Sequence, residues 1–145
     1  MDRIIRSAVC SSDIAKKHSH YHDCHQIIFI KNGEIEIEIN RDVKRAKSGD
    51  IIIISRFENH SIKVLSETYE RYVLRISTDL SDMGRAYSVL TNRPESFKNV
   101  VSSGEKFSEL CFIFDRICGE RNNEDDFSSQ MDSLLLEQLS SYLFR

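Results

Sequence analysis

No pair of cysteines in this 145-residue sequence has CxxC spacing, which excludes a thioredoxin-like redox pair and a paired-cysteine zinc ribbon. The four cysteines, Cys10, Cys24, Cys111 and Cys118, lie far apart and read as small buried hydrophobes. No stretch approaches the ~20 apolar residues of a membrane span. The start, "MDRIIRSAVCSSD", lacks the apolar segment of a secretory signal. A cytoplasmic setting with reduced thiols is therefore expected. There is no excess of positive charge either: the formal net charge is −3. No basic helix stands out for contact with nucleic acid. G-x-S-x-G and a glycine-rich phosphate loop are also missing, so no nucleophile–base arrangement is legible. No repeat or low-complexity segment appears.

What remains is enough for one domain with a core, since 40% of the residues are hydrophobic. The first half has the period of strands. Ile4, Ile5 and Val9 suggest an opening strand, and "QIIFI" a second that turns at Gly33. "EIEIEIN" alternates strictly, with Ile35, Ile37 and Ile39 on one face. "VKRA" alternates weakly within a solvated hairpin from Arg41 to Lys47. "IIIIS" reads as a strand buried on both faces, and "HSIKVL" and "ERYVLRIS" complete the set. Short strands at about ten-residue intervals argue for a sandwich or barrel.

The period changes near Ser77. "TDLSDMGRAYSVLTN" suggests a short helix ending before the only proline, Pro94, and "RPESFKNVVSSGE" a loop. Ser102 and Glu105 have capping-box spacing and mark a helix start. Phe107, Leu110, Cys111, Phe114, Ile117 and Cys118 form one apolar face, with Gly119 as a stop. After the polar connector "RNNEDD", Phe127, Met131, Leu134, Leu135, Leu139, Tyr142 and Leu143 form a second stripe. Two such helices make an antiparallel hairpin. Its apolar stripes either pack on the strands or serve in part as a dimer interface.

The densest chemistry lies in "HSHYHDCHQ", which holds four of the five histidines in nine positions. Side chains two apart on a strand share a face, so His18, His20 and His22 point the same way if the strand runs straight through them. Two such imidazoles suit chelation of zinc, iron, nickel or copper. His18 and His25 have the weaker claims and are expected to face solvent, His25 being opposite in parity to Gln26. Tyr21, Tyr69 and Tyr72 are pocket or wall candidates. Arg56, Arg71 and Arg75 read as surface ion-pair residues, with contact to an anionic effector as the alternative.

"HYHDCHQIIFIKNG" has the form H-x-H, three residues, Gln, six residues, Gly, and resembles the first cupin motif with Gln26 in place of the usual glutamate. "GDIIIISRFENH" is similar to the second motif and ends on His60, with Ser55 and Phe57 where that motif has proline and glycine. The run over residues 15–77 resembles most the N-terminal sensor domain of AraC-type transcriptional regulators. The resemblance implies a mainly β fold with added α structure. A cupin (double-stranded β-helix, jelly-roll) barrel would be followed by a C-terminal antiparallel helical hairpin. It implies a cupin-like sensor over 1–78 and a helical region over 79–145.

It further implies that His20, His22, Gln26 and His60 face the lumen together and bind a small effector, a sugar or other polar metabolite. In metal-dependent cupins the matching positions hold the ion. The same four residues are thus the candidate ligands for a divalent metal (Zn, Ni, Fe or Mn), although no cofactor is expected. A neutral amide at Gln26 removes a charge that favours a cation. The implied protein is a bacterial regulator domain rather than an enzyme. Its partners would be the effector and a second copy through the helices. DNA would be contacted only by a helix-turn-helix domain absent from this sequence. The alternative is a free-standing metal-dependent cupin enzyme, an isomerase or dioxygenase.

Overall fold

The computed structural model describes residues 3–12, 24–56, 58–78, 84 and 99–143. Eight strands, β1 (Ile5–Ser11), β2 (His25–Asn32), β3 (Glu34–Ile39), β4 (Asp42–Lys47), β5 (Asp50–Ile54), β6 (His60–Val64), β7 (Glu70–Ile76) and β8 (Val100–Ser102), are followed by a 3-10 turn, Gly104–Lys106. Two helices, α1 (Phe107–Glu120) and α2 (Ser128–Leu143), come last. The strands form two antiparallel sheets, one in the order β1-β7-β2-β5-β8 and the other β4-β3-β6. The expected mainly β fold with a C-terminal helical pair is what the chain adopts. The two sheets face each other but do not close into a barrel among the described residues.

Strand parity divides the core in two. On β2 and β5 the odd positions, Ile27, Phe29, Ile51 and Ile53, pack with Leu110, Ile113, Phe114 and Ile117 of α1 and Leu135, Leu136 and Leu139 of α2. The even positions, Ile28, Ile30, Ile52 and Ile54, pack between the sheets against Ile35, Ile37, Ile39 and Ala46. The larger sheet is therefore a middle layer with both faces dry. That is why β5 needs isoleucine at four consecutive positions, all at most 2% exposed. The smaller sheet has one wet face, so β3 alternates isoleucine and glutamate.

The turns fix the register. Asn40 and Arg41 both take positive φ (50° and 75°) in the two-residue loop between β3 and β4, as a twisted hairpin of this length requires. Gly33, between β2 and β3, has φ 108°. A Cβ there would run into the Thr68 carbonyl oxygen and come within 2.8 Å of Ser66 Oγ. Gly33→Ala is expected to lower stability by about 1–3 kcal/mol, measured by chemical denaturation, because it adds both backbone strain and a backbone clash.

Several expectations give way. Val100–Ser102, read as loop, pairs with Asp50–Ile52 as the edge strand β8. Ser102 does not cap a helix; its Oγ accepts from the Gly104 N–H at 3.2 Å, and α1 begins only at Phe107. Gly119 does not stop α1, which runs on to Glu120. Phe127 and Leu134 are 67% and 57% exposed, so the buried stripe of α2 is Leu135, Leu136, Leu139 and Leu143. The helix expected before Pro94 lies outside the described residues, apart from a helical Gly84. No helix among the described residues is long and apolar enough to cross a membrane.

The cysteines do not form one class. Cys24 is buried and Cys111 and Cys118 are half-buried, but Cys10 is exposed. Burial pushes the Cys118 thiol from its ordinary 9.0 up to about 11. Alkylation at pH 8 should therefore modify Cys10 before Cys118, as peptide mass mapping would reveal. A thiol whose folded pKa is raised contributes stability below its unfolded pKa and loses it above. Cys118 should thus favour unfolding as pH rises from about 9 towards about 11.

Candidate functional site

The face of the larger sheet that looks onto the smaller one is set by register. Ser7 pairs with Arg75, Arg75 with Gln26, and Gln26 with Ile54, in one row across β1, β7, β2 and β5. The next row is Val9, Val73, Ile28, Ile52 and Val100, and beyond it Ser11, Arg71 and Ile30. Directly paired antiparallel residues share a face, so all of these belong to the inter-sheet side. On the smaller sheet, Ile39 pairs with His60, Ile37 with Ile62 and Ile35 with Val64.

Because β2 turns into β3 at Gly33, Ile30 and Ile35 lie at one end of the sandwich. Gln26 and His60 lie at the other, one on each sheet. Both polar side chains are removed from solvent, Gln26 at 4% exposed and His60 at 2%. The two cupin-motif residues that are described therefore occupy the same end of the inter-sheet space. His18, His20, His22 and Tyr21 lie outside the described residues.

His60 Nδ1 lies 3.2 Å from the Glu58 carbonyl oxygen. A carbonyl only accepts, so Nδ1 carries the proton in this contact. His25 takes the opposite tautomer: its Nδ1 accepts the Arg56 backbone N–H at 2.9 Å. The expectation that His25 faces solvent is incorrect. It is 3% exposed, because the side of the sheet opposite Gln26 is covered. The parity was right, but that face carries a second core.

The loop that presents His60 has its own organiser. Glu58 Oε1 accepts from the Ser55 N–H at 2.7 Å, and the Glu58 N–H donates to the Ser55 carbonyl at 3.1 Å. This reciprocal pair occupies the loop where the second motif would have proline and glycine. Its signal was present as Ser55-x-x-Glu58, the same spacing as a capping box. Asn99 Nδ2 donates to the Ile53 carbonyl at 2.7 Å, tying the approach to β8 onto β5 beside this loop.

The Arg71 guanidinium sits over the Tyr69 ring at 4.7 Å from its centroid. Tyr69 is 4% exposed within the inter-sheet core, its hydroxyl buried without a hydrogen-bond partner, and burial raises its pKa. Arg75 is exposed and has no ion-pair partner among the described residues. Tyr72 belongs to the other face. It stacks with Phe114 and its O–H donates to Asp115 Oδ1 at 2.6 Å, so it is a wall residue of the helix-side core.

As a metal centre the described part is incomplete. Gln26 offers only a neutral amide oxygen where a carboxylate would favour a cation. No group of three or more His, Cys, Asp or Glu among the described residues is arranged to hold an ion.

Comparison with known proteins gives a family. No curated protein matches the sequence. Among solved structures, the chain is similar to Bacillus subtilis oxalate decarboxylase, with 17% identity, a TM-score of 0.43, and coverage of 52% of this chain and 22% of that one. It is also similar to KdgF from Halomonas sp., at 24% identity and TM-score 0.41 over 50% of this chain and 70% of that one. A third is an RmlC-like cupin family protein with a double-stranded β-helix fold from Methanocaldococcus jannaschii, at 16% identity and TM-score 0.41 over 48% and 66%. The chain spans less than a quarter of the length of the oxalate decarboxylases. The AraC-like ligand binding domain family matches residues 6–139, which take in nearly all of both sheets, all of α1 and α2 as far as Leu139, and the chain belongs to that family.

Proposed function

We propose that this chain is the effector-sensing domain of a bacterial, cytoplasmic AraC-type transcriptional regulator and not an enzyme. The effector is a small polar molecule held between the sheets by His20, His22, Gln26 and His60. The observation that carries this reading is the burial of Gln26 and His60 at one end of the inter-sheet face. A few polar side chains set in an otherwise apolar space are what orients a small ligand. Membership of the AraC-like ligand binding domain family supports the same reading.

In this reading residues 1–78 are the sensor and 79–145 the helical region, through which a second copy docks. Phe127, just before α2, and Met131 and Leu134 on it are suited to that contact, since two of the three are more than half exposed. DNA is contacted by a helix-turn-helix domain of the parent protein. Sensing requires an effector with different affinities for two arrangements of the domain, not merely tight binding.

A thermal-shift screen over sugars, organic acids and aromatic compounds tests the reading, because binding to the native state raises stability. Stabilisation by one class, lost on His60→Ala, is the expected result; no stabilisation by any class would defeat it. One observation favours a second reading. The buried His60 stands at the position of the second-motif histidine, which holds the ion in metal-dependent cupins. Elemental analysis of protein prepared without chelator separates the two, a stoichiometric ion supporting the second.

A further inference from the structure

We propose that the ligand is a small organic acid with an apolar body, its carboxylate held by Arg75 and Gln26. This deepens the sensing reading and rests on it. Arg75 and Gln26 are direct cross-strand partners on the inter-sheet face. Gln26 is 4% exposed, and its side-chain amide has no hydrogen-bond partner among the described residues. The Gln26 amide and the exposed Arg75 guanidinium thus stand side by side on this face, and neither is engaged by another described side chain. Arg75 has no carboxylate partner among the described residues.

A guanidinium presents two parallel N–H groups that match the two oxygens of a carboxylate. The Gln26 NH2 adds a donor from the neighbouring strand. The next row on the same face is apolar: Val9, which is 52% exposed, then Val73 and Ile28. A sugar has hydroxyls all round and would leave several unpaired over these valines. An acid with a hydrocarbon or aromatic body sets charge on the first row and carbon on the second. Arg71, two residues further along β7 than Val73, is stacked on Tyr69 and serves as the internal control.

The test measures binding of benzoate, hexanoate and their neutral amides to the 145-residue chain by calorimetry. The Gln26 side-chain NH2 signals, followed by NMR, report on the site. The carboxylates should bind at least about tenfold more tightly than the amides and should shift the Gln26 NH2 signals. Arg75→Gln should erase that preference, Arg75→Lys should restore part of it, and Arg71→Gln should leave it intact. Gln26→Glu should weaken carboxylate binding further by placing a like charge in the site. Sugars or amides binding as well as the acids, with Arg75→Gln without effect, would overturn the proposal while leaving the sensing reading in place. Absence of binding by every acid, amide and sugar tried would overturn both.

Discussion

Asp132→Ala is expected to lower the unfolding free energy by about 3–5 kcal/mol, because it removes one partner of a buried charged cluster. Asp132 is 0% exposed on α2. Arg3 Nε donates to its Oδ2 at 3.0 Å and Arg3 Nη2 to its Oδ1 at 2.8 Å. Arg121 Nη2 also donates to Oδ1, and Arg121 Nη1 to the Ile5 carbonyl. Arg3 reaches the Asn123 and Glu120 carbonyls as well, at 2.8 and 3.1 Å. One carboxylate thus joins the segment leading into β1, the end of α1 and the inner face of α2. With alanine, two guanidinium groups at 17% and 15% exposure lose their counter-charge.

Asp132→Asn keeps the size and half the acceptor capacity, so it should cost less than alanine but still more than a surface change. Replacing Arg3, Asp132 and Arg121 together by apolar residues of similar volume should recover much of the loss, since an ion cluster often does no better than good packing. Urea denaturation of all three variants separates these outcomes. If alanine costs under 1 kcal/mol, comparable to an exposed pair, the cluster does not lock the helices to β1.

The cluster also explains where the sequence misled. On α2 both Leu134 and Leu135 fit a helical apolar stripe, and hydrophobicity alone does not choose between rotations. The buried face holds Ser128, Asp132, Leu135, Leu136, Leu139 and Leu143. Asp132 draws that face inward through its two arginines, and an acid is invisible to a pattern of apolar residues. Local periods were legible where one physical cause acted. β3 alternates because one face is wet, and β5 is all isoleucine because neither face is. β8 was hidden because three residues in a polar stretch carry no period, and only their pairing with β5 makes them a strand.

The candidate site was legible to the same extent. Spacing singled out Gln26 and His60, and register brings them to one end of the inter-sheet face. The parity of β7 was also on view in "ERYVLRIS": Tyr72, Leu74 and Ile76 alternate with Arg71, Val73 and Arg75. What it lacked was the identity of each face. A sheet covered by helices on one side hides Tyr72 and leaves the arginines on the other face, where Arg75 is exposed. His25 was misjudged for the same reason.

Phe114→Ala is the second large effect expected, a loss of about 3–5 kcal/mol. Phe114 is fully buried on α1. Its ring stacks on Phe29 of β2 at 5.0 Å between centroids and on Tyr72 of β7 at 5.3 Å. Phe107 extends the group, 5.5 Å from Phe29. The loss combines the hydrophobic transfer of a whole ring, a cavity that a rigid β-layer fills poorly, and two aromatic contacts. Because the opposite faces of β2 and β7 carry Gln26 and Arg75, the same stack sets the backdrop of the candidate site. Phe114→Leu should lose less, keeping most of the volume without the stacking. Thermal unfolding of both variants, with carboxylate titrations of the leucine variant, distinguishes support from contact. If Phe114→Leu melts lower yet binds with unchanged affinity, the stack only stabilises; if affinity falls too, the helix-side core holds the inter-sheet face in its binding shape.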